Sequence, residues 1–186
     1  GLWKPLFDKN PLPPNDPVTA ILPAPGQEAI ITTLKNGLFR LGQSGINRIA
    51  SVNHARFCED RIYAATSINE EWIALATTNK GVYITDHQGN IVQGFSKTEQ
   101  LQNNNVLSIF LDRQQNVWLG LDNGIDFIAY NSPIKHINPL LMDGSGYTAI
   151  IHHNHLYTGT SSGLFEVPLQ PLKDLSFSKG DFTSIK

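Results

Sequence analysis

The chain has 186 residues and a formal charge of −2, from 14 Lys plus Arg against 16 Asp plus Glu, and only 16% of it is charged, well under the roughly 25% of an ordinary soluble chain. That near-neutral balance excludes a polyanion as the main partner, because neutralising phosphates takes a basic stripe. No run of about 18 apolar residues occurs and no basic-then-apolar leader opens the sequence, while a single cysteine, Cys58, excludes an internal disulfide framework and any multi-thiolate metal site.

Fifteen glycines and eleven prolines mark a chain of many turns and short strands. Seven of those prolines fall in the first 25 residues, which predicts an extended, loop-like N-terminal segment over 1–25. From 26 to 180 one pattern recurs four times: an apolar strand, a polar turn ending in Gly, and a second apolar strand. The first two copies are Ala29-Ile-Ile-Thr-Thr-Leu-Lys-Asn-Gly37 and Ala74-Leu-Ala-Thr-Thr-Asn-Lys-Gly81. The third and fourth are Val117-Trp-Leu-Gly-Leu-Asp-Asn-Gly124 and Leu156-Tyr-Thr-Gly-Thr-Ser-Ser-Gly163. The turn glycines stand 44, 43 and 39 residues apart, a period that suits one propeller blade of about 40–50 residues better than a helical solenoid.

The columns of this repeat carry physical content. Four positions before the glycine stand the small residues Thr33, Thr77, Gly120 and Gly159, and six before it the bulky Ile31, Leu75, Trp118 and Tyr157. Such small/large pairing fills tapering, close-packed sheets. The third unit is the most complete. It reads as an inner strand over 106–111, a polar turn over 112–116, strands over 117–121 and 125–130, and an outer strand near 134–137. Inner strands of the second and fourth units fall at 62–67 and 148–151. No long helix is predicted, since no window holds an apolar stripe of helical period free of Gly and Pro. Residues 181–186 read as the first strand of a further blade, cut short. The fold class is all-β, a β-propeller of about four blades of four antiparallel strands, forming an arc of a larger ring of the seven-bladed type or a small closed ring.

Residues 103–133 resemble the repeat of bacterial two-component regulator propellers. The matching residues are Asn-Asn-Val106-Leu-Ser-Ile-Phe-Leu-Asp112, then Trp118-Leu-Gly120, then Gly124-Ile125, closing on Asn131-Ser-Pro133. Tyr157, Gly159 and Gly163 repeat the core with Tyr for Trp, and the first two units keep the second glycine. The resemblance implies an extracytoplasmic, periplasmic sensor domain of a membrane-bound signalling and transcription regulator. In that family a triple-tyrosine β-sandwich, a transmembrane helix and a kinase or DNA-binding output follow the propellers. It also implies a ligand of the oligosaccharide kind, and the remaining blades of a parent propeller as partners.

Candidate chemistry is sparse. His152, His153 and His155 form the one metal-like cluster, but adjacent residues of an extended chain point to opposite faces and structural zinc takes four ligands, so a solvated turn is expected and no metal or cofactor is assigned. Asp86, Asp112, Asp122 and Asp126 could be assembled into a carboxylate pair for glycoside chemistry. Asp112 and Asp122, however, flank one strand from opposite ends, and Asp in such turns caps local backbone groups. Cys58 is expected to lack a histidine partner, and no catalytic residue is assigned. Trp118 and Tyr157 read as packing residues rather than sugar platforms. Loops carry function on propellers, so binding is placed on the face bearing the middle-hairpin turns: Lys35 and Asn36, Asn79 and Lys80, Asp122 and Asn123, and Ser161 and Ser162, together with the polar segment 97–105. The leading expectation is a non-enzymatic, ligand-sensing segment that does not bind nucleic acid. The alternatives are a propeller lyase or glycosidase and a protein-interaction propeller. Apolar faces left open at the ends of an arc imply self-association.

Overall fold

A computed structural model describes residues 2, 11–128, 130, 136–139, 145–169, 177–180 and 183–185, with backbone only for 136–139 and 177–180. The chain divides into two units, 1–128 and 129–186. In the first unit, strands β1 (Val18–Ala24), β2 (Glu28–Thr33), β3 (Gly37–Gly42) and β4 (Gly45–Arg48) form one antiparallel meander. A short helix, α1 (His54–Asp60), follows, and then a second meander of β5 (Ile62–Ser67), β6 (Trp72–Thr77), β7 (Val82–Asp86) and β8 (Ile91–Phe95). A 3-10 turn at Lys97–Glu99 leads into β9 (Val106–Leu111), β10 (Val117–Leu121) and β11 (Gly124–Ile128), a sheet of three strands.

The second unit adds β12 (His136–Pro139), β13 (Gly146–His152), β14 (His155–Thr160), β15 (Gly163–Pro168), β16 (Phe177–Gly180) and β17 (Thr183–Ile185). Here β13, β14, β15 and β17 form an antiparallel sheet, and β12 pairs with β16 in parallel. The architecture is all-β, built of propeller-type blades.

The second sheet is apolar on both sides because it packs between the first and the third. Leu22, Ile30 and Leu38 of the first sheet meet Ile73, Leu75 and Tyr83 of the second, with Ile49, Phe57 and Ile62 closing the same core. On the other face of the second sheet, Ala74, Ala76, Val82 and Ile84 are at most 1% exposed, and β9 lies against β5 and β6. Burying one such large aliphatic side chain stabilises the fold by about 1.5–3 kcal/mol. The inner strands β1, β5 and β9 follow one another side by side, the arrangement a propeller requires.

The structure departs from the sequence reading in four places. Val18–Ala24 is a strand despite Pro23, so the first blade takes in part of the segment predicted as loop; β1 is an edge strand, where a missing N–H costs no ladder bond. The third sheet has three described strands; the strand nearest the predicted outer one, His136–Pro139, pairs with β16 instead. Thr183–Ile185 pairs with β15 and completes the fourth sheet rather than starting another. Strand β11 runs Gly124–Ile128 and ends before 130. Residues 131–135, which include the closing motif Asn131 to Pro133, lie outside the described residues, as do 181, 182 and 186.

Candidate functional site

The middle-hairpin turns are built by a recurring hydroxyl. Thr33 Oγ1 donates to the Gly37 carbonyl at 3.3 Å and accepts the Asn36 N–H at 3.2 Å. Thr77 Oγ1 does the same with the Gly81 carbonyl (2.9 Å) and the Lys80 N–H (3.0 Å). Thr160 repeats it one position closer, donating to the Gly163 carbonyl (3.2 Å) and accepting the Ser162 N–H (3.1 Å). The third sheet has no hydroxyl there, and its turn is tied to the incoming linker. The Asp122 N–H reaches the Asn105 carbonyl at 3.3 Å, and Asn103 Nδ2 reaches Asn123 Oδ1 at 3.1 Å.

These bonds say what the predicted binding residues do. Asp16 accepts the Lys35 N–H and Asn36 Nδ2, both at 2.8 Å. Burial pushes the Asp16 carboxyl up, but hydrogen bonds from Asn36 and the Lys35 N–H together hold it below the usual carboxylate range. Asn79 Nδ2 donates to the Glu59 carbonyl at 2.9 Å. The Asn104 carbonyl accepts the Gly81 N–H while its side chain accepts the Lys97 N–H. Within the first unit the middle turns and the linkers between sheets therefore share one end, and Lys35, Asn36, Asn79, Lys80, Asp122 and Asn123 are woven into that scaffold. Ser161 and Ser162 occupy the matching turn of the second unit. Gln102 takes Asp126 across the same end, its N–H and Nε2 donating at 2.8 and 2.6 Å.

The carboxylates do not converge. Asp112 caps its own turn, accepting the Gln114 and Asn116 N–H groups. Asp86 caps the β7–β8 turn through Gln88 and Asn90 in the same way. Asp112 and Asp122 stand at opposite ends of β10. His152 and His155 pair across the β13–β14 hairpin, with His153 and Asn154 at its tip at φ 45° and 62°. The His152 and His153 ring centroids lie 3.9 Å apart, with the rings tilted by 59°.

One expectation fails outright. Cys58 does have a histidine: His54, one helical turn earlier on α1, places Nε2 3.6 Å from the sulfur. The i, i+4 spacing was the available signal. Burial nevertheless pushes the thiol up, with Arg48 opposing, so the pair does not hold a ready thiolate.

The aromatic and glycine columns also resolve. Trp118 is 41% exposed, its ring edge-on to Phe127 at 4.9 Å. It shares a sheet face with Phe110, Gly120, Ile125 and Phe127, opposite the buried Val117 and Leu119. A Cβ on Gly120 would strike the Ser108 hydroxyl, and one on Gly159 would come within 2.8 Å of the Thr148 methyl. These glycines are small because the facing inner strand fills their space. Tyr157 pairs with Glu166 across the β14–β15 ladder.

At the other end of the first unit lies a cleft that no sequence motif marks. The β1–β2 turn (Pro23, Ala24, Pro25) forms one wall, and Ser67, Asn69, Glu70 and His87 of the second sheet form the other, around a space of about 360 Å³. His87 is 7% exposed, and its Nε2 has no hydrogen-bond partner among the described residues. Ser67 Oγ is buried and equally unpartnered. The His87 carbonyl accepts from Arg40, whose other nitrogen pairs with Glu28 at 2.8 Å, locking the two sheets together beside the cleft.

With this geometry in place, residues 100–123 match the family model described as two component regulator propeller. That span covers the linker, inner strand and middle-hairpin turn of the third sheet. The chain is similar to a crystal structure of the extracellular domain of BT4673 from B. thetaiotaomicron, described as a hybrid two component system. The identity is 23% and the TM-score 0.50, over 91% of this chain and 23% of that one. A second structure of that domain, described as a one component system, aligns at 23% identity and a TM-score of 0.51, over 94% and 24%. The chain thus spans about a quarter of the length of these neighbours. No curated protein matches it. On its blades and its matched repeat, the chain carries the fold of the two-component regulator propellers.

Proposed function

We propose that this chain is an extracytoplasmic, periplasmic sensing segment of a bacterial two-component-type transcriptional regulator, and that it binds a ligand of the oligosaccharide class without transforming it. The observation that carries this reading is the coincidence of the matched repeat, residues 100–123, with a sheet whose linker and turn are cross-tied by Asn103, Asn105, Asp122 and Asn123. A face stiffened in this way can pass a change of geometry onward. The mechanism is differential binding: a ligand that prefers one arrangement of the blades shifts the population toward it.

The non-catalytic reading draws support from the carboxylates, since Asp86, Asp112 and Asp126 are each committed to a local turn or linker rather than facing one another. The extracytoplasmic reading draws support from the neighbours, which are extracellular domains. Among the described residues no helix is long and apolar enough to cross a membrane. Further blades of the parent protein are the natural partners of the exposed apolar face at Phe110, Trp118, Ile125 and Phe127. A propeller lyase or glycosidase is the competing reading. Binding to an array of bacterial and plant glycans, with turnover assayed on the same polysaccharides, separates the two.

A further inference from the structure

We propose that Asn123 and Gly124 form a self-modifying pair, at which solvent converts the asparagine to aspartate and isoaspartate, while the second Asn-Gly pair, Asn36 and Gly37, is held intact. This chemistry goes beyond the sensor reading and does not rest on it. Glycine permits it, because no Cβ hinders the main-chain nitrogen as it approaches the preceding side chain. The two pairs occupy matching turns of the repeat, but their surroundings differ.

Three features separate them. The first is the turn's own clamp. Thr33 Oγ1 accepts the Asn36 N–H and donates to the Gly37 carbonyl, fixing the peptide link that has to turn for attack. In the third sheet that position is Gly120, which offers no hydroxyl. The second is the partner of the side-chain amide. Asn36 Nδ2 donates to Asp16 Oδ2 at 2.8 Å; a carboxylate there pushes electron density toward the amide carbon and repels an incoming nitrogen anion. Asn123 is engaged through its other atom, Oδ1, which accepts from Asn103 Nδ2 at 3.1 Å. That donor draws density from Cγ and sits where negative charge develops as the nitrogen adds, as in an oxyanion hole. Asn103 Oδ1 accepts the Asn105 N–H at 3.1 Å, so the donor is aimed before reaction. The third is access. Asn123 and Gly124 are exposed, whereas Gly37 is buried against His54 and Phe57.

The step balances with water alone. Hydroxide removes the Gly124 amide proton, the nitrogen bonds to Asn123 Cγ, and the charge passes to Oδ1 beside Asn103. Collapse breaks the Cγ–Nδ2 bond; the nitrogen takes a proton from water and leaves as ammonia, which regenerates hydroxide and leaves a succinimide. Water then opens the ring at Cγ, giving isoaspartate or aspartate according to which carbonyl is cleaved from the ring nitrogen. Either product sets a second carboxylate beside Asp122, and isoaspartate lengthens the main chain of the turn between Leu121 and Gly124.

The test holds the folded 186-residue chain at mildly alkaline pH in heavy-oxygen water for days, with peptide mapping and isoaspartyl methyltransferase labelling. Asn123 should convert at least about tenfold faster than Asn36, each product carrying one heavy oxygen. In guanidinium chloride the two rates should converge. Asn103→Ala should slow conversion of Asn123 by about three- to tenfold with an unchanged melting temperature, and Asp16→Ala should speed that of Asn36. The proposal is overturned if the two asparagines convert equally in the folded chain, if the difference persists in denaturant, or if Asn103→Ala leaves the Asn123 rate unchanged.

Discussion

The indole Nε1 of Trp118 donates a 2.9 Å hydrogen bond to Asp112 Oδ2, across the turn that joins β9 to β10. The most distinctive aromatic of the repeat is thereby tied to the carboxylate that caps its own hairpin. Trp118 bonds, the Asn116 N–H and the Gln114 N–H together hold the Asp112 carboxyl below the usual carboxylate range, against a smaller opposing push from burial. A carboxylate with a lowered folded value contributes stability above its unfolded pKa, roughly 3.9, and loses it as pH falls through the folded value. Asp112→Asn should therefore lower the melting temperature at pH 7, and the gap from wild type should close at strongly acid pH. A gap that stays constant from pH 7 downward would show that the charge plays no part.

Gly37 and Gly81 occupy the same position of the repeat with the same backbone, φ 75° and 76°. Their surroundings differ. A Cβ on Gly37 meets side-chain atoms no closer than 3.4 Å, whereas one on Gly81 would run into the Phe95 carbonyl. Gly37→Ala should cost about 1–2 kcal/mol, the penalty of the left-handed conformation alone. Gly81→Ala adds a backbone clash and should cost a further ~1–3 kcal/mol. Urea melts of the two variants check this, and equal losses would refute the assignment.

Gly120 faces Ser108 on the inner strand. Gly120→Ala should destabilise by about 1–3 kcal/mol through overpacking, and adding Ser108→Gly should recover most of that loss. The double-mutant cycle isolates the pair. Additive losses would mean that the glycine is kept for some other contact.

The face of the third sheet that carries Phe110, Trp118, Ile125 and Phe127 is exposed, from 41% at Trp118 to 68% at Ile125. Apolar surface of this kind drives association. Sedimentation of the isolated chain should show concentration-dependent self-association, and Phe110→Ser with Phe127→Ser should shift it toward monomer. A monomer at all concentrations before substitution would count against an open apolar face.

Much of the architecture could be read from the chain because turn chemistry and strand pattern are local. The predicted strands 62–67, 106–111 and 117–121 coincide with β5, β9 and β10, since each is a short apolar run closed by Asp, Asn or Gly. What escaped depends on distant partners. Pro23 argued against a strand until β2 supplied one side of the ladder and left the other open. Helix α1 carries no side-chain N-cap bond and stands on the burial of Phe57 and Asp60, the latter accepting from the Tyr83 hydroxyl at 2.7 Å. Burial, together with that pairing, raises the Tyr83 phenol well above its usual value. The cleft at His87 was hidden for the same reason. Pro23 and His87 lie more than sixty residues apart in sequence, and only the packing of one sheet on the next brings them to one space. The turn residues Lys35, Asn36, Asn79, Lys80, Asp122 and Asn123 fall at one end within the first unit, but pattern alone could not reveal that the Asn36, Asn79 and Asn123 side chains are tied into the scaffold there.

The central claim is that the chain recognises a saccharide and leaves it intact. The direct measurement is to incubate the purified chain with its best array ligand for many hours, then quantify both bound ligand and newly formed reducing or unsaturated ends. The account predicts saturable binding with the oligosaccharide recovered unchanged; multiple turnovers per chain would contradict it.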